Sequence, residues 1–243
     1  MKEFPEHLAS VAGNRDFSRH PFVVALNSGE YAPGALTEYA VQLVHMAEDF
    51  IHVLSQLLVM CQDPLARALL IENIAEENGL YVDPRGQKLR FDAQQRHPEL
   101  ARRFARSLGA LESDLSWSPT NMKLSAWMDT ALRSGNWLGV MAYITVGQEL
   151  NAPSLFTGLE RGLREVYGRK PEDIEFFTIH ITADSKHGNE GVETISSVAR
   201  SEQGRQLALE GARRGADALW AVYRRFDHML RQSSDDNEGT RIG

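Results

Sequence analysis

The chain has a single cysteine, Cys61, among 243 residues, so no disulfide can form within it and nothing marks an oxidising compartment. A reducing cytoplasm is the expected setting. An apolar leader is missing from the first residues, MKEFPEHLAS, which excludes the usual secretory signal pattern. Long apolar runs are missing too. The longest stretch, LSQLLVMCQDPLARALLI, is broken by Gln56, Gln62, Asp63 and Arg67, well short of the ~20 residues that span a bilayer, and no membrane segment is expected. Excess positive charge is also absent: 26 Lys and Arg against 33 Asp and Glu give a net charge of −7. With the arginines scattered, there is no basic field to steer a nucleic acid. Finally, apolar–polar alternation is almost absent, which argues against a sheet protein.

What remains is a row of helices punctuated by glycine and proline. With 42% hydrophobic and 24% charged residues, the chain can bury a substantial core. A short helix is expected over 5–12 and a long one over 37–61. Pro64 opens the next, which ends near Gly79 at a glycine C-cap. The segment LYVDPRGQKLRFDAQQR reads as loop, and His97-Pro98 opens a helix with proline in its first turn. Long helices follow over 122–150 and 154–168, then one beginning at Pro171 and a last one over 201–232. The expected architecture is all-α, a single helical domain over 1–232, with a polar tail at 233–243 too hydrophilic to pack.

Eight histidines occur, and two sets repeat one spacing. His180, Asp184 and His187 stand at i, i+4 and i+7 on a helix, as do His45, Asp49 and His52, so each set lines one face over about two turns. The first set shares its arc with Phe176 and Phe177, so burying that arc buries the polar groups too. The second shares its arc with Glu38, Gln42 and Gln56, opposite an apolar face of Tyr39, Leu43, Ala47, Phe50 and Leu54, the pattern of a solvated stripe.

Partners for the first set are sought among carboxylates in apolar surroundings, because burying an unpaired charge costs several kcal/mol. The 15 residues SGNWLGVMAYITVGQ between Arg133 and Glu149 carry no charge, which singles out Glu149. In ENIAEENG, the helical wheel puts Glu72 and Glu76 on one face and Glu77 with Ala66, Leu70, Asn73 and Ile74 on the core side. His97 precedes a helix from which it can be aimed across the bundle. Imidazoles and carboxylates from several helices suit a di-iron or di-manganese site. The ferritin-like version needs Glu-x-x-His pairs, and the chain has none; Asp-x-x-His occurs at 49/52 and 184/187.

This constellation resembles the haem-oxygenase-like di-iron oxidases and oxygenases, fold relatives of PqqC, TenA and haem oxygenase. Their His-x-x-x-Asp-x-x-His is matched by His180, Asp184 and His187, and their lone glutamate by Glu149 in VGQELNAPSLF. An earlier acidic helix end and a His-Pro are matched by NIAEENG and RHPEL. The resemblance runs from about His20-Pro21-Phe22 to Trp220. It implies a haem-oxygenase-like bundle of about seven helices with metal ligands Glu77, His97, Glu149, His180, Asp184 and His187. One ion would be held by Glu77 and His97, the other by His180, His187 and Asp184, with Glu149 bridging; Glu48 is a further carboxylate of the kind some members add. It also implies two Fe(II) ions that use O2 to oxidise a small amino-acid-like or carboxylate substrate, by N-oxygenation or oxidative carbon–carbon cleavage, in specialised-metabolite biosynthesis. Tyr143, Phe176 and Phe177 are candidate walls of the substrate site, and Arg133, Arg102 and Arg103 candidate cations for a carboxylate. The reading leaves room for an external electron donor and a homodimer. Two other classes stay open. One is a metal-free enzyme like PqqC or TenA, the latter poorly matched by Cys61 at the end of a helix. The other is a non-enzymatic helical binding protein.

Overall fold

A computed structural model describes residues 3–82, 89–118 and 125–239. Its helices start where the local chemistry allows a start. Asp63 accepts hydrogen bonds from the amides of Leu65 and Ala66 at 2.9 and 3.1 Å, and Pro64 then opens α4, Pro64–Glu77. Such a cap satisfies two of the amides that the first turn leaves without partners. His20 does the same for α2, Pro21–Asn27: its Nδ1 accepts from Phe22 N at 3.1 Å. The helix α1 covers Phe4–Ala12, α3 Ala35–Met60 and α5 His97–Ser107. Later in the chain come α8, Ala152–Glu165, α9, Glu175–Val198, and α10, Glu202–Gly239. The expected stop of the last helix at Gln232 is overrun: helical backbone continues through 239, and only 240–243 of the expected tail lie outside the described residues.

Two further expectations change. The stretch after α4 is not all loop. Leu80–Val82 and Leu89–Phe91 form an antiparallel hairpin, β1 and β2, with Leu80 opposite Phe91, Tyr81 opposite Arg90 and Val82 opposite Leu89. Aromatic and β-branched residues flanking Asp83-Pro84-Arg85-Gly86 favour that pairing; residues 83–88 themselves lie outside the described set. Gly79 makes the junction. Its φ of +75° is one that other residues resist, and a Cβ there would collide with the backbone of Asp92, the residue that follows the returning strand. The helix expected over 122–150 is also divided. After α6, Ala126–Arg133, the chain turns at Gly135 with φ +75° and resumes as α7, Trp137–Met141, which passes into a π-helix over Ala142–Glu149. The part of that expected helix at 122–124 is outside the described residues.

The apolar side chains gather into two cores. The first takes Phe22, Tyr39, Phe104, Phe177 and Tyr223, the second Leu8, Leu54, Leu70, Ile144 and Ile195. Three long helices serve both. Along α9, Phe176 and Phe177 belong to the first core and Ile195 to the second, so the stretch 180–187 falls between them. Among the described residues α3 alone is long and apolar enough to cross a membrane by length and composition. Here its apolar side feeds the two cores, Leu36 to Ala47 in one and Val53 to Leu57 in the other.

α7 and the π-helix that continues it sit flush on α10. A Cβ on Gly211 would strike the carbonyl of Gly139, and one on Gly215 the carbonyl of Tyr143. Only glycine lets the two backbones approach this closely.

Candidate metal centre

The repeat on α9 puts His180, Asp184 and His187 on one buried line, each 8% exposed or less. Three further polar side chains reach that line from element ends: Glu77 from the last residue of α4, His97 from the first of α5, and Glu149 from the last of the π-helix. All three are buried. A π-helix advances less per residue than an α-helix, so an α-helical wheel misplaces Glu149. Its isolation from other charge was the usable signal.

The six residues form two sets, Glu77 with His97 and His180, and Glu149 with Asp184 and His187; within each set one ligand atom per residue lies within 4.8 Å of the others. This division differs from the expected one, in which His180 joined His187. One helical turn separates His180 from Asp184, and it is enough to hand the first imidazole to the neighbouring set. Glu77 Oε1 lies 2.9 Å from His97 Nδ1 and 3.9 Å from His180 Nε2, and the two imidazole rings are 4.4 Å apart.

Outer contacts aim these groups. His180 Nδ1 lies 2.6 Å from the Phe176 carbonyl; donating there fixes the proton on Nδ1 and leaves Nε2 with its lone pair facing Glu77. Asn73 donates to Glu149 Oε1 at 2.7 Å. Glu76 Oε2 lies 2.9 Å from His187 Nε2, and Lys186 draws Glu76 from the other side at 3.3 Å. Even so, His97 Nδ1, His187 Nε2 and Glu149 Oε2 are buried without a hydrogen bond of proper alignment.

The electrostatics is correspondingly uncomfortable. Burial pushes Glu149 up to about 7, with Glu77 and Glu76 adding repulsion and His187 and Asn73 opposing it. Burial, then Glu149 and Glu77, hold Asp184 well above the usual carboxylate range. Burial and then His97 lower His180 to about 4. Burial raises Glu77 as well, but His97, His180 and His187 outweigh it and leave that carboxyl below its ordinary value. Burial pulls His187 down, and Glu76 and Glu149 together more than reverse it. Buried carboxylates repelling one another, beside lone pairs without donors, are what bound cations relieve. Three carboxylates and three imidazoles match the oxygen- and nitrogen-rich donors of iron or manganese, so the donor set fits two divalent ions.

Glu77, Glu149, His180 and Asp184 also face an apolar chamber of about 130 Å3. Of the three candidate walls only Phe176 lines it, together with Phe50, Phe156 and Tyr223. Phe177 packs edge-on against Phe104 at 5.1 Å, and Tyr143 stacks on Trp127 at 5.4 Å; both are core. Glu48 is not brought to the ligand sets: Arg102 donates to its Oε1 at 2.7 Å. The three candidate arginines are taken by carboxylates, Arg102 by Glu48, Arg103 by Glu175 and Arg133 by Asp129. Cys61, buried with its thiol pushed up by burial, ends α3 in the second core and does not line the chamber.

Residues 37–220, which contain all six side chains, match the family of iron-containing redox enzymes. The chain belongs to that family. The chain is also similar, at 26% identity, to a 4-aminobenzoate synthase of Chlamydia muridarum, over 92% of this chain and 89% of that protein. A 4-aminobenzoate synthase of Nitrosomonas europaea is 25% identical, over 89% and 88%. Two solved structures share the fold. One is a domain with a haem-oxygenase-like fold from Shewanella denitrificans, with a TM-score of 0.64, 16% identity and coverage of 96% of this chain and 93% of that one. The other is a TenA homologue from Pseudomonas syringae pv. tomato, with a TM-score of 0.63, 14% identity and coverage of 91% and 88%. The all-α, haem-oxygenase-like architecture expected from the sequence is therefore the one this iron-containing redox enzyme adopts.

Sequence reasoning missed Asn73 and Glu76. Asn73 was visible as the residue one turn before Glu77 on the same arc. Glu76 was assigned outward with Glu72, and it is in fact half-buried against His187, because a long side chain can reach around its own helix.

Proposed function

We propose that this protein is a non-haem di-iron oxidoreductase that uses O2 to oxidise a small organic molecule. The observation that carries the reading is the convergence of six buried donors in two sets, with Glu77, Glu149, His180 and Asp184 facing an apolar chamber. Glu77, His97 and His180 would hold one ion and Glu149, Asp184 and His187 the other. Two ferrous ions held there would supply the electrons and the open positions that O2 reduction requires.

The chain's own residues do the rest. The Phe176 carbonyl keeps His180 in the tautomer that offers Nε2. Asn73 holds Glu149 by Oε1 and leaves Oε2, buried without a hydrogen-bond partner, as the oxygen that would face an ion. Tyr223, in the chamber wall, keeps its phenolic proton because burial raises it, and its hydroxyl lies 3.5 Å from that of Tyr39. Apolar walls keep bulk water from the reacting atoms. The family resemblance suggests a small amino-acid-like or carboxylate substrate, with N-oxygenation and oxidative carbon–carbon cleavage as reaction types, and the relatives named 4-aminobenzoate synthases make a small aromatic carboxylate.

Anaerobic titration with Fe(II), followed by Mössbauer spectroscopy, tests the reading. Two ions per chain in coupled sites are expected. One ion after anaerobic reconstitution would overturn the di-iron reading, and none would favour a metal-free enzyme or a binding protein.

A further inference from the structure

The chamber beside the ligand sets is not closed off. Met46 of α3 and Val222 of α10 line both the chamber and a second, outer groove of about 430 Å3 between the same two helices. The two spaces differ in chemistry. The inner one is walled by Leu43, Ala47, Phe50 and Phe156, and its volume of about 130 Å3 is close to that of the dry, apolar cavities of ~150 Å3 that accept a benzene ring. The outer one is polar, with Gln42, His45 and Asp49 from α3 and Arg225 from α10.

Two features of the groove point to an anion, and one acid, Asp49, opposes it with part of its hydrogen-bonding capacity already used. Among the described residues no carboxylate pairs with Arg225, whereas its neighbour Arg224 lies 3.6 Å from Asp227 and Arg231 2.8 Å from the same acid. The Nδ1 atom of His45 is buried without a hydrogen-bond partner. The one acid lining the groove, Asp49, has its Oδ1 taken by the indole N–H of Trp117 at 2.6 Å. A guanidinium, an amide and an imidazole thus lie around one opening, and all three can donate to a carboxylate.

We propose that this groove is the headgroup site of the substrate. The acid is held outside by Arg225, with His45 and Gln42, while the apolar body passes between Met46 and Val222 to lie in the chamber against the two ligand sets. The substrate class is then a small carboxylic acid whose apolar part is one ring or a chain of similar bulk, entered apolar end first. The inference rests on the oxidoreductase reading only in treating this ligand as the substrate.

Equilibrium binding of benzoate and of its uncharged isostere benzamide tests it, on the full chain, both metal-free and loaded anaerobically with Fe(II). Benzoate is expected to bind on the order of tenfold more tightly than benzamide, as a charge-assisted contact at a partly solvated site supplies. Arg225→Gln should remove that preference while leaving benzamide affinity and iron content unchanged, and anthracene-9-carboxylate should be excluded by its bulk. Equal binding of acid and amide by the wild type overturns the proposal. So does a preference that survives Arg225→Gln, which would place the carboxylate on the metal instead, and so does failure of both small ligands to bind. If the preference appears and vanishes as expected but no iron binds, the headgroup site stands and the di-iron reading falls.

Discussion

His180, Asp184 and His187 on α9 and His45, Asp49 and His52 on α3 are the same three residue types at the same spacing, yet the fold makes different things of them. On α9 the line is fully buried and meets Glu77, His97 and Glu149 from three other element ends. On α3, among the described residues, no such carboxylates arrive, and the triplet is half-covered instead by one aromatic side chain. Trp117 stacks on His52 with ring centroids 4.1 Å apart and donates to Asp49 at 2.6 Å, while His52 Nδ1 lies 2.7 Å from its own helix at the Glu48 carbonyl. The expected solvated stripe is thus partly roofed, and His45 at its end faces the groove beside the chamber. Spacing on one helix fixes only which side chains are collinear. What the neighbouring elements bring to that line decides whether it binds a metal, packs under a tryptophan or lines an entrance.

The sharpest way to break this comparison is to remove both imidazoles from each line. His180→Ala with His187→Ala should abolish binding of both Fe(II) ions in an anaerobic titration, since each ligand set loses a donor; His45→Ala with His52→Ala should still bind two. The reverse result would show that α3 carries the metal site.

Glu149→Gln addresses the cost of the buried set itself. The Glu149 carboxyl titrates near 4.5 in an unfolded chain and at about 7 in the metal-free fold. Between those values the folded state holds a proton that the unfolded state has released. The stability this group contributes is therefore complete below about 4.5 and is lost as pH rises through 7. Metal-free Glu149→Gln should accordingly gain on the metal-free wild type across that window, by on the order of 3 kcal/mol above it, and should bind iron poorly at every pH. Urea denaturation at pH 5 and pH 8 measures the first effect and iron titration the second. Equal pH dependence in both proteins would mean that Glu149 is ionised and solvated.

A smaller change tests the outer contacts of the α9 line. Asn73→Ala removes the donor to Glu149 Oε1 and should weaken iron binding about 10–100-fold, the usual effect of losing such a partner. Competition with a chelator reads it. The matching change on the α3 side, Trp117→Phe, keeps the ring over His52 and deletes the indole N–H. It should cost about 1 kcal/mol in denaturation and leave the iron stoichiometry untouched. Loss of iron in Trp117→Phe would tie the two lines together.

Much of the centre was legible because its signals are local. Asp63-Pro64 marks a helix start by side-chain capping and His97-Pro98 marks one by proline in the first turn. Glu77 separates from Glu76 by one position on a wheel, and Glu149 stands out because nothing charged precedes it for 15 residues. What could not be read depends on geometry between elements. The π-helix changes the direction of Glu149 without changing any residue pattern. The assignment of His180 to Glu77 and His97 depends on where α4 and α5 end relative to α9. The roof over the α3 triplet comes from a tryptophan 68 positions beyond Asp49, a separation at which a helical wheel has nothing to say. Arg225, too, is unremarkable in sequence among the arginines of α10, and only the two cavities that share Met46 and Val222 set it apart.

The glycine contacts between the π-helix and α10 bear on how the metal centre is loaded. Gly211 and Gly215 admit the carbonyls of Gly139 and Tyr143 with no room for a side chain, so the segment that ends at Glu149 cannot slide or rotate without lifting off a 38-residue helix. That makes it a stiff scaffold whose shape predates the ions. Metal uptake should then involve little refolding of the backbone. In calorimetric terms it should proceed with proton release and a small heat-capacity change, since almost no apolar surface is newly covered. A bulky residue at either glycine would turn the same event into one coupled to folding.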